Sequence, residues 1–161
     1  MSETDALNRR LARATILSIA AAVCCSGWAG GDVLHVPGQY ATIQAAIDAA
    51  ANGDTVLVAD GVYRGEGNRD IELRGKAITV RSEHGPASCI IDCEGTELDP
   101  HRAFCFRGHE TRATTLDGFS ILNGNAPYDP ECYYSGGGIA CNRSSPTIRN
   151  CIICNCVARD Y

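Results

Sequence analysis

The chain has 161 residues, with 14 Lys and Arg against 19 Asp and Glu and a formal charge of −5. That length holds one domain, and a scattered acidic balance without a basic stripe excludes nucleic acid and anionic membrane as natural partners. Lys76 is the only lysine, so Schiff-base and P-loop chemistry is excluded almost everywhere.

Arg9, Arg10 and Arg13 precede an apolar stretch running from Ala14 to Cys25, and Gly27-Trp28-Ala29 then supplies small residues where a signal peptidase needs them. This is the pattern of a secretory signal peptide over 1–29, and it implies a secreted or cell-surface protein. The alanine-rich core is shorter than the ~20 apolar residues of a membrane span, and no other segment reads as one. Cleavage removes three arginines and two acids and leaves the chain slightly more acidic. Of the ten cysteines, Cys89, Cys93, Cys105, Cys132, Cys141, Cys151, Cys154 and Cys156 remain. An even number in an exported chain predicts disulfides of unspecified pairing.

The next segment, 30–53, reads as a strand and a capping helix. Asp32-Val33-Leu34-His35-Val36 has strand character and is followed by a Pro37-Gly38 turn. Thr42 is the expected N-cap of a helix whose stripe is Ile43, Ala46, Ile47 and Ala50, with Asn52-Gly53 as a left-handed end. So short a helix would be marginal alone and makes sense as a lid over an open strand edge.

From Asp54 to Tyr161 the pattern changes to short β runs separated by Gly and Asn. They are Thr55–Val58, Ala77–Val80, Cys89–Ile91, Ala103–Phe106, Gly118–Ile121, Ile139–Cys141 and Thr147–Ile148. Strands this short bury little unless they stack. Leu116 to Asn123 repeats as Ile148 to Asn155 at an offset of 32, with Thr115 over Thr147 and Ala126 over Ala158. A repeat of this length predicts stacked coils in a solenoid, with Asn123 and Asn155 laddered through their amides. Gly136-Gly137-Gly138 is expected to bend the chain through positive φ. Cys151-x2-Cys154-x-Cys156 has a metal-like spacing, but Cys151 takes the inward slot of Phe119 while Cys154 aligns with outward Leu122. Thiols on two faces of a strand do not converge on one ion.

These residues resemble a known family. Val36-Pro37-Gly38-Gln39-Tyr40-Ala41-Thr42-Ile43-Gln44-Ala45-Ala46-Ile47 is similar to the N-terminal cap of right-handed parallel β-helix proteins of the pectin-lyase-like superfamily. Asp54 to Tyr63 is similar to their first coil, with its Gly-x-Tyr turn. Gly118-Phe119-Ser120-Ile121-Leu122-Asn123-Gly124, Gly136-Gly137-Gly138-Ile139 and Ser144-Ser145-Pro146-Thr147-Ile148-Arg149-Asn150-Cys151 resemble the repeat of exported bacterial β-helix proteins, including polymorphic outer-membrane adhesins. The resemblance implies an all-β right-handed parallel β-helix with a short capping helix, and polysaccharide or cell-surface glycan as the partner class. It does not imply an activity, because the superfamily holds lyases, hydrolases, esterases and non-enzymes.

The catalytic signatures of its enzymes are not present as sets. His84-Gly85 is an isolated dipeptide, and Trp28 lies in the signal segment. No catalytic, cofactor-binding or metal residue is assigned, and no cofactor is expected. His35, His84, His101 and His109 share no ligand spacing and read as solvated or capping side chains. The expected function is therefore a non-catalytic exported module for surface structure, adhesion or glycan binding. The alternative is the N-terminal part of a polysaccharide-active enzyme with its catalytic coils beyond Tyr161, since Val157 to Tyr161 reads as the run-in to another coil. The nearest candidates for such chemistry here are Asp92, Glu94, Asp117 and Arg149, of which Asp117 and Arg149 align as an ion pair. Tyr133-Tyr134 is a possible sugar-stacking pair in a loop.

Overall fold

A computed structural model describes residues 30–126 and 136–158. The signal segment and the Cys132, Tyr133 and Tyr134 expectations lie outside the described residues. Strand β1 (Val33–Val36) and helix α1 (Ile43–Ala49) come first. They are followed by β2 (Thr55–Val58), β3 (Gly61–Tyr63), β4 (Ile71–Glu72), β5 (Thr79–Ser82), β6 (Cys89–Asp92) and β7 (Phe104–Phe106). The remaining strands are β8 (Thr115–Asp117), β9 (Ser120–Leu122), β10 (Ile139–Cys141), β11 (Thr147–Arg149) and β12 (Ile152–Cys154).

Among the described residues all strand pairings are parallel and fall into three sheets, ordered β1-β2-β5-β8-β11, β3-β6-β9-β12 and β4-β7-β10. From β2 onward the chain visits the five-, four- and three-stranded sheets in fixed rotation. Each circuit lays one short strand on the previous one in each sheet. Strand length is therefore traded for ladder length, and residues in register form columns. Leu34, Val56, Val80, Leu116 and Ile148 make one inward column, and Tyr63, Ile91, Ile121 and Ile153 make another. The offset of 32 residues is the true register of β8 with β11 and of β9 with β12. Among the described residues the architecture is all-β, with parallel sheets and one short helix.

The helix closes one end of this core. Thr42 Oγ1 accepts from the Ala45 N–H at 3.2 Å, as a Ser/Thr N-cap should. Asn68 Oδ1 accepts from Ile43 N–H and the Gly67 carbonyl from Gln44 N–H, so the other early donors are also met. Ile43, Ala46 and Ile47 are fully buried. The expected left-handed helix end is not what stops α1. Ala50 is already extended at φ −65°, ψ 144°, and Gly53 takes its positive φ of 96° later, in the turn into β2.

Lys76 does what a C-cap would do. Its ammonium donates to the carbonyls of Ile47, Asp48 and Ala50 at 2.7, 2.8 and 2.8 Å. Three terminal carbonyls and the negative end of the helix dipole thus meet one cation from the loop after β4. Lys76→Met keeps the stem and removes these bonds. It is expected to cost about 2 kcal/mol, read as a lower urea midpoint together with faster amide exchange in α1.

Four local readings need correction. The run Ala77–Val80 is strand only from Thr79, because Ala77 N–H is taken by Asn52 Oδ1 in a corner. The run Gly118–Ile121 is strand only from Ser120, in β9, because the chain turns out of β8 at Gly118 with φ 83°. A Cβ there would press on Ser82 Oγ, which donates to the Gly118 carbonyl at 2.5 Å. The glycine triplet has no positive φ. It is glycine because a Cβ on Gly137 would strike the Val157 backbone, and one on Gly138 would crowd Cys156 and Ile153. Strands β3, β4 and β8 also escaped the sequence reading, and Gly61-Val62-Tyr63 is strand β3 rather than a turn.

The disulfide expectation is also corrected. Cys89, Cys93, Cys151, Cys154 and Cys156 form no disulfide. Cys89 and Cys93 are fully buried in the core, and burial pushes both thiols up to about 12. They pack as small apolar side chains. Cys151 packs partly buried against the core in register with Phe119, and Cys154 is exposed.

Candidate functional site

The polar residues picked out from the sequence sit at sheet corners. Asn123 and Asn155 both adopt left-handed backbone, φ 55° and 53°, just beyond β9 and β12. Asn155 Nδ2 donates to Asn123 Oδ1 at 2.6 Å, which is the expected ladder. The ladder goes one step further, because Asn123 Nδ2 donates to Asp92 Oδ1 at 2.8 Å. Arg64 then grips Asp92 Oδ2 through Nε and Nη2, at 3.0 and 2.9 Å. Glu94 lies between Arg64 and Arg69, at 3.9 and 3.6 Å.

This setting fixes the chemistry of Asp92. Burial works to raise its pKa, but hydrogen bonds from Asn123, Arg64 and the Glu94 N–H outweigh it, so the carboxyl lies below its ordinary range. Asp92 stays ionised and cannot serve as a general acid near neutrality.

Asp117 and Arg149 occupy a different place, at the ends of β8 and β11 in the five-stranded sheet. Arg149 Nε and Nη2 both lie 3.0 Å from Asp117 Oδ2, and Asn150 Nδ2 donates to Oδ1 at 2.8 Å. The expected exposed ion pair is present, and such a pair contributes little to stability. The four candidates therefore do not form one site. Asp92 and Glu94 end the four-stranded sheet, whereas Asp117 and Arg149 end the five-stranded one.

A wide groove lies elsewhere, between α1 and the segment that carries β4. Its volume is about 860 Å³, and it is bounded by Gln44 and Asp48 on the helix and by Asp70, Glu72, Arg74 and His101 opposite. Gln44 builds its floor. The Gln44 carboxamide accepts from Glu72 N–H at 2.9 Å and donates to the Glu72 carbonyl at 3.1 Å, so a side chain completes the open edge of β4. It also donates to Asp48 Oδ1 at 2.9 Å.

The groove's charges are fixed in pairs. Arg74 meets Asp48 at 2.8 Å, and Arg107 meets Glu72. His101 Nδ1 lies 2.5 Å from Asp70 Oδ2, while Asp99 Oδ1 stands 3.1 Å from Nε2 without hydrogen-bond geometry. Asp70 Oδ1 also accepts from Arg102 N–H at 3.0 Å. The wall is thus a set of oriented donors and acceptors, suited to hydroxyl-rich ligands rather than apolar ones. Of the other histidines, His84 pairs with Asp60 at 3.1 Å, and His35 and His109 are exposed.

Sequence reasoning missed Gln44, Asp70 and His101 as neighbours. They lie far apart in the chain, and only the register of the circuits brings them together. The one available signal was Gln44, which interrupts the alanine-rich helix with an amide. Among the described residues no group of three or more His, Cys, Asp or Glu could hold a metal ion, and no helix is long and apolar enough to cross a membrane. No family model, curated protein or solved structure matches the chain.

Proposed function

We propose that this chain is a right-handed parallel β-helix of the pectin-lyase-like kind, exported and non-catalytic, that binds glycan through the groove beside α1. The fixed rotation through three parallel sheets and the capping helix support the fold. The basic residues ahead of an apolar segment and a small-residue site support export. One observation carries the functional reading: the carboxylates that could do chemistry are already engaged as structural acceptors. Asp92 is held ionised by Arg64 and Asn123, and Asp117 is spanned by Arg149 and Asn150. Neither is poised to give or take a proton from a substrate. The groove instead offers paired planar groups that can meet sugar hydroxyls.

The test is retention of the purified protein on immobilised polysaccharides, run beside an assay for new reducing ends. Retention on at least one polymer with no new ends is expected. Arg74→Ala and His101→Ala should each weaken retention about tenfold, the loss of one or two hydrogen bonds. Release of new ends, or retention that ignores both substitutions, would sink this reading.

A further inference from the structure

Counted group by group, the groove beside α1 has more acceptors to spare than donors. Both amide hydrogens of Gln44 are spent, on Asp48 Oδ1 and on the Glu72 carbonyl. Arg74 is turned on Asp48 at 2.8 Å. Arg69 lines the groove but is committed to the next corner, where Nη1 donates to the Cys93 carbonyl at 3.1 Å and lies 3.6 Å from Glu94. Its charge is matched by an acid outside the groove. Glu72 is matched from outside in turn, by Arg107.

Glu66, Asp70 and Asp99 are left over. Glu66 is exposed on the groove wall, and its carboxylate has no hydrogen-bond or ion-pair partner among the described residues. Asp70 and Asp99 flank the imidazole of His101, at 2.5 Å from Nδ1 and 3.1 Å from Nε2. The Nε2 atom itself is buried and unbonded. One histidine, charged or neutral, cannot offset three carboxylates, so the groove and its rim carry excess negative charge in either state. A concave wall of one sign focuses its field on whatever enters.

A metal ion does not answer that charge. A hard cation needs several oxygens around one point, and among the described residues no group of three or more His, Cys, Asp or Glu could hold one. An ammonium group asks for less. It brings three donors and no acceptor, so one carboxylate and a neighbouring acceptor satisfy it. A carboxylated or sulfated sugar would meet like charge and find few unspent donors.

We propose that the glycan taken by this groove is built of hexosamine with free amines. An ammonium group meets Glu66 and Asp70, while ring hydroxyls meet Arg74 and His101. This rests on glycan binding in the groove and adds the sign of the ligand's charge.

The probes are a glucosamine tetramer, its fully N-acetylated counterpart and a galacturonate tetramer. Each is titrated calorimetrically into the full chain at about pH 6, where the sugar amines are protonated, and about 0.15 M salt. The amine-bearing tetramer is expected to bind about tenfold more tightly than the acetylated one, and the uronate not measurably. Glu66→Gln should remove most of that preference, whereas Glu83→Gln, at an exposed acid away from the groove, should keep it. Equal binding of the amine-bearing and acetylated tetramers, or tighter uronate binding, overturns this inference and leaves glycan binding in the groove standing. A preference that persists in Glu66→Gln overturns it too, since general surface acidity would then be its source. So does a lysine tetramer that displaces the glucosamine tetramer at equal concentration, which would make the ligand a basic peptide. Binding of none of the tetramers, with no retention on any polysaccharide, overturns both readings.

Discussion

Replacing Glu110 by alanine is expected to destabilise the protein by about 3 to 4 kcal/mol, with a matching fall in the urea midpoint. Glu110 is only 2 % exposed, in the corner after β7. Its Oε1 accepts from Gly75 N–H at 2.9 Å. Its Oε2 accepts from Gly108 N–H at 2.9 Å and from the Ser144 hydroxyl at 2.7 Å. Gly75 follows β4 and Ser144 follows β10, so one carboxylate fastens three successive circuits at the same corner. A Cβ on Gly108 would crowd both Glu110 and Gly75, which is why the chain uses glycine there. Alanine leaves three donors facing a void, and unmet buried donors cost more than a bond is worth when made. Glu110→Gln keeps the volume but turns one acceptor into a donor, so it should lose roughly half as much. A shift below about 0.5 kcal/mol for alanine would mean the corner is held by something else.

The same carboxylate sets the direction of the acid response. Burial works to raise the Glu110 pKa, and the hydrogen bonds from Ser144, Gly75 and Gly108 outweigh it, leaving it below the ordinary value of 4.5. A group depressed on folding contributes fully above its unfolded value and loses that contribution as pH falls through its folded value. Asp92 is shifted the same way. Stability should therefore be level with respect to these two groups above pH 4.5 and decline below it. In Glu110→Gln the acid decline should be shallower, read from urea midpoints measured across that range.

How much of this could be read from residues alone depended on spacing. Thr115 over Thr147 and Asn123 over Asn155 were visible because β8 to β11 is a step of 32 with no insertion between matched positions. The column is longer than that, since Thr55, Thr79, Thr115 and Thr147 all share one register. Its earlier steps are 24 and 36 residues, so no fixed period exposes it. The two-residue strand β4 was hidden for a related reason, because it becomes strand only by pairing with β7 and receiving Gln44. Local pattern showed the inward slots and the N-cap at Thr42. It could not show the groove, whose walls meet through register, nor the corner of Glu110, whose partners lie 34 and 35 residues away. Consecutive glycines suggested torsional freedom, whereas Gly137 is hemmed in by the Val157 backbone and Gly138 by the Cys156 and Ile153 side chains.

Phe104→Ala is the second large loss expected, about 4 kcal/mol. Phe104 is fully buried in β7, in register with Ile71 on one side and Ile139 on the other. Its ring centre lies 6.1 Å from Phe106, nearly parallel at 18°, and 6.1 Å from Phe119, tilted at 57°. The three rings tie the three-stranded sheet to the corner between β8 and β9. Truncation removes the central ring, and the ladders on both sides of β7 restrain the backbone from closing on the gap. A cavity that cannot collapse costs the transfer term and the void together. Phe104→Leu fills most of the space and should lose about 1 kcal/mol. Against a typical total of 5–15 kcal/mol the alanine loss is large enough to reach every circuit. Hydrogen exchange would show this directly. Faster exchange in β2 and β5 as well as in β7 means the core acts as one unit, and a change confined to β7 and β10 would show that the circuits unfold separately.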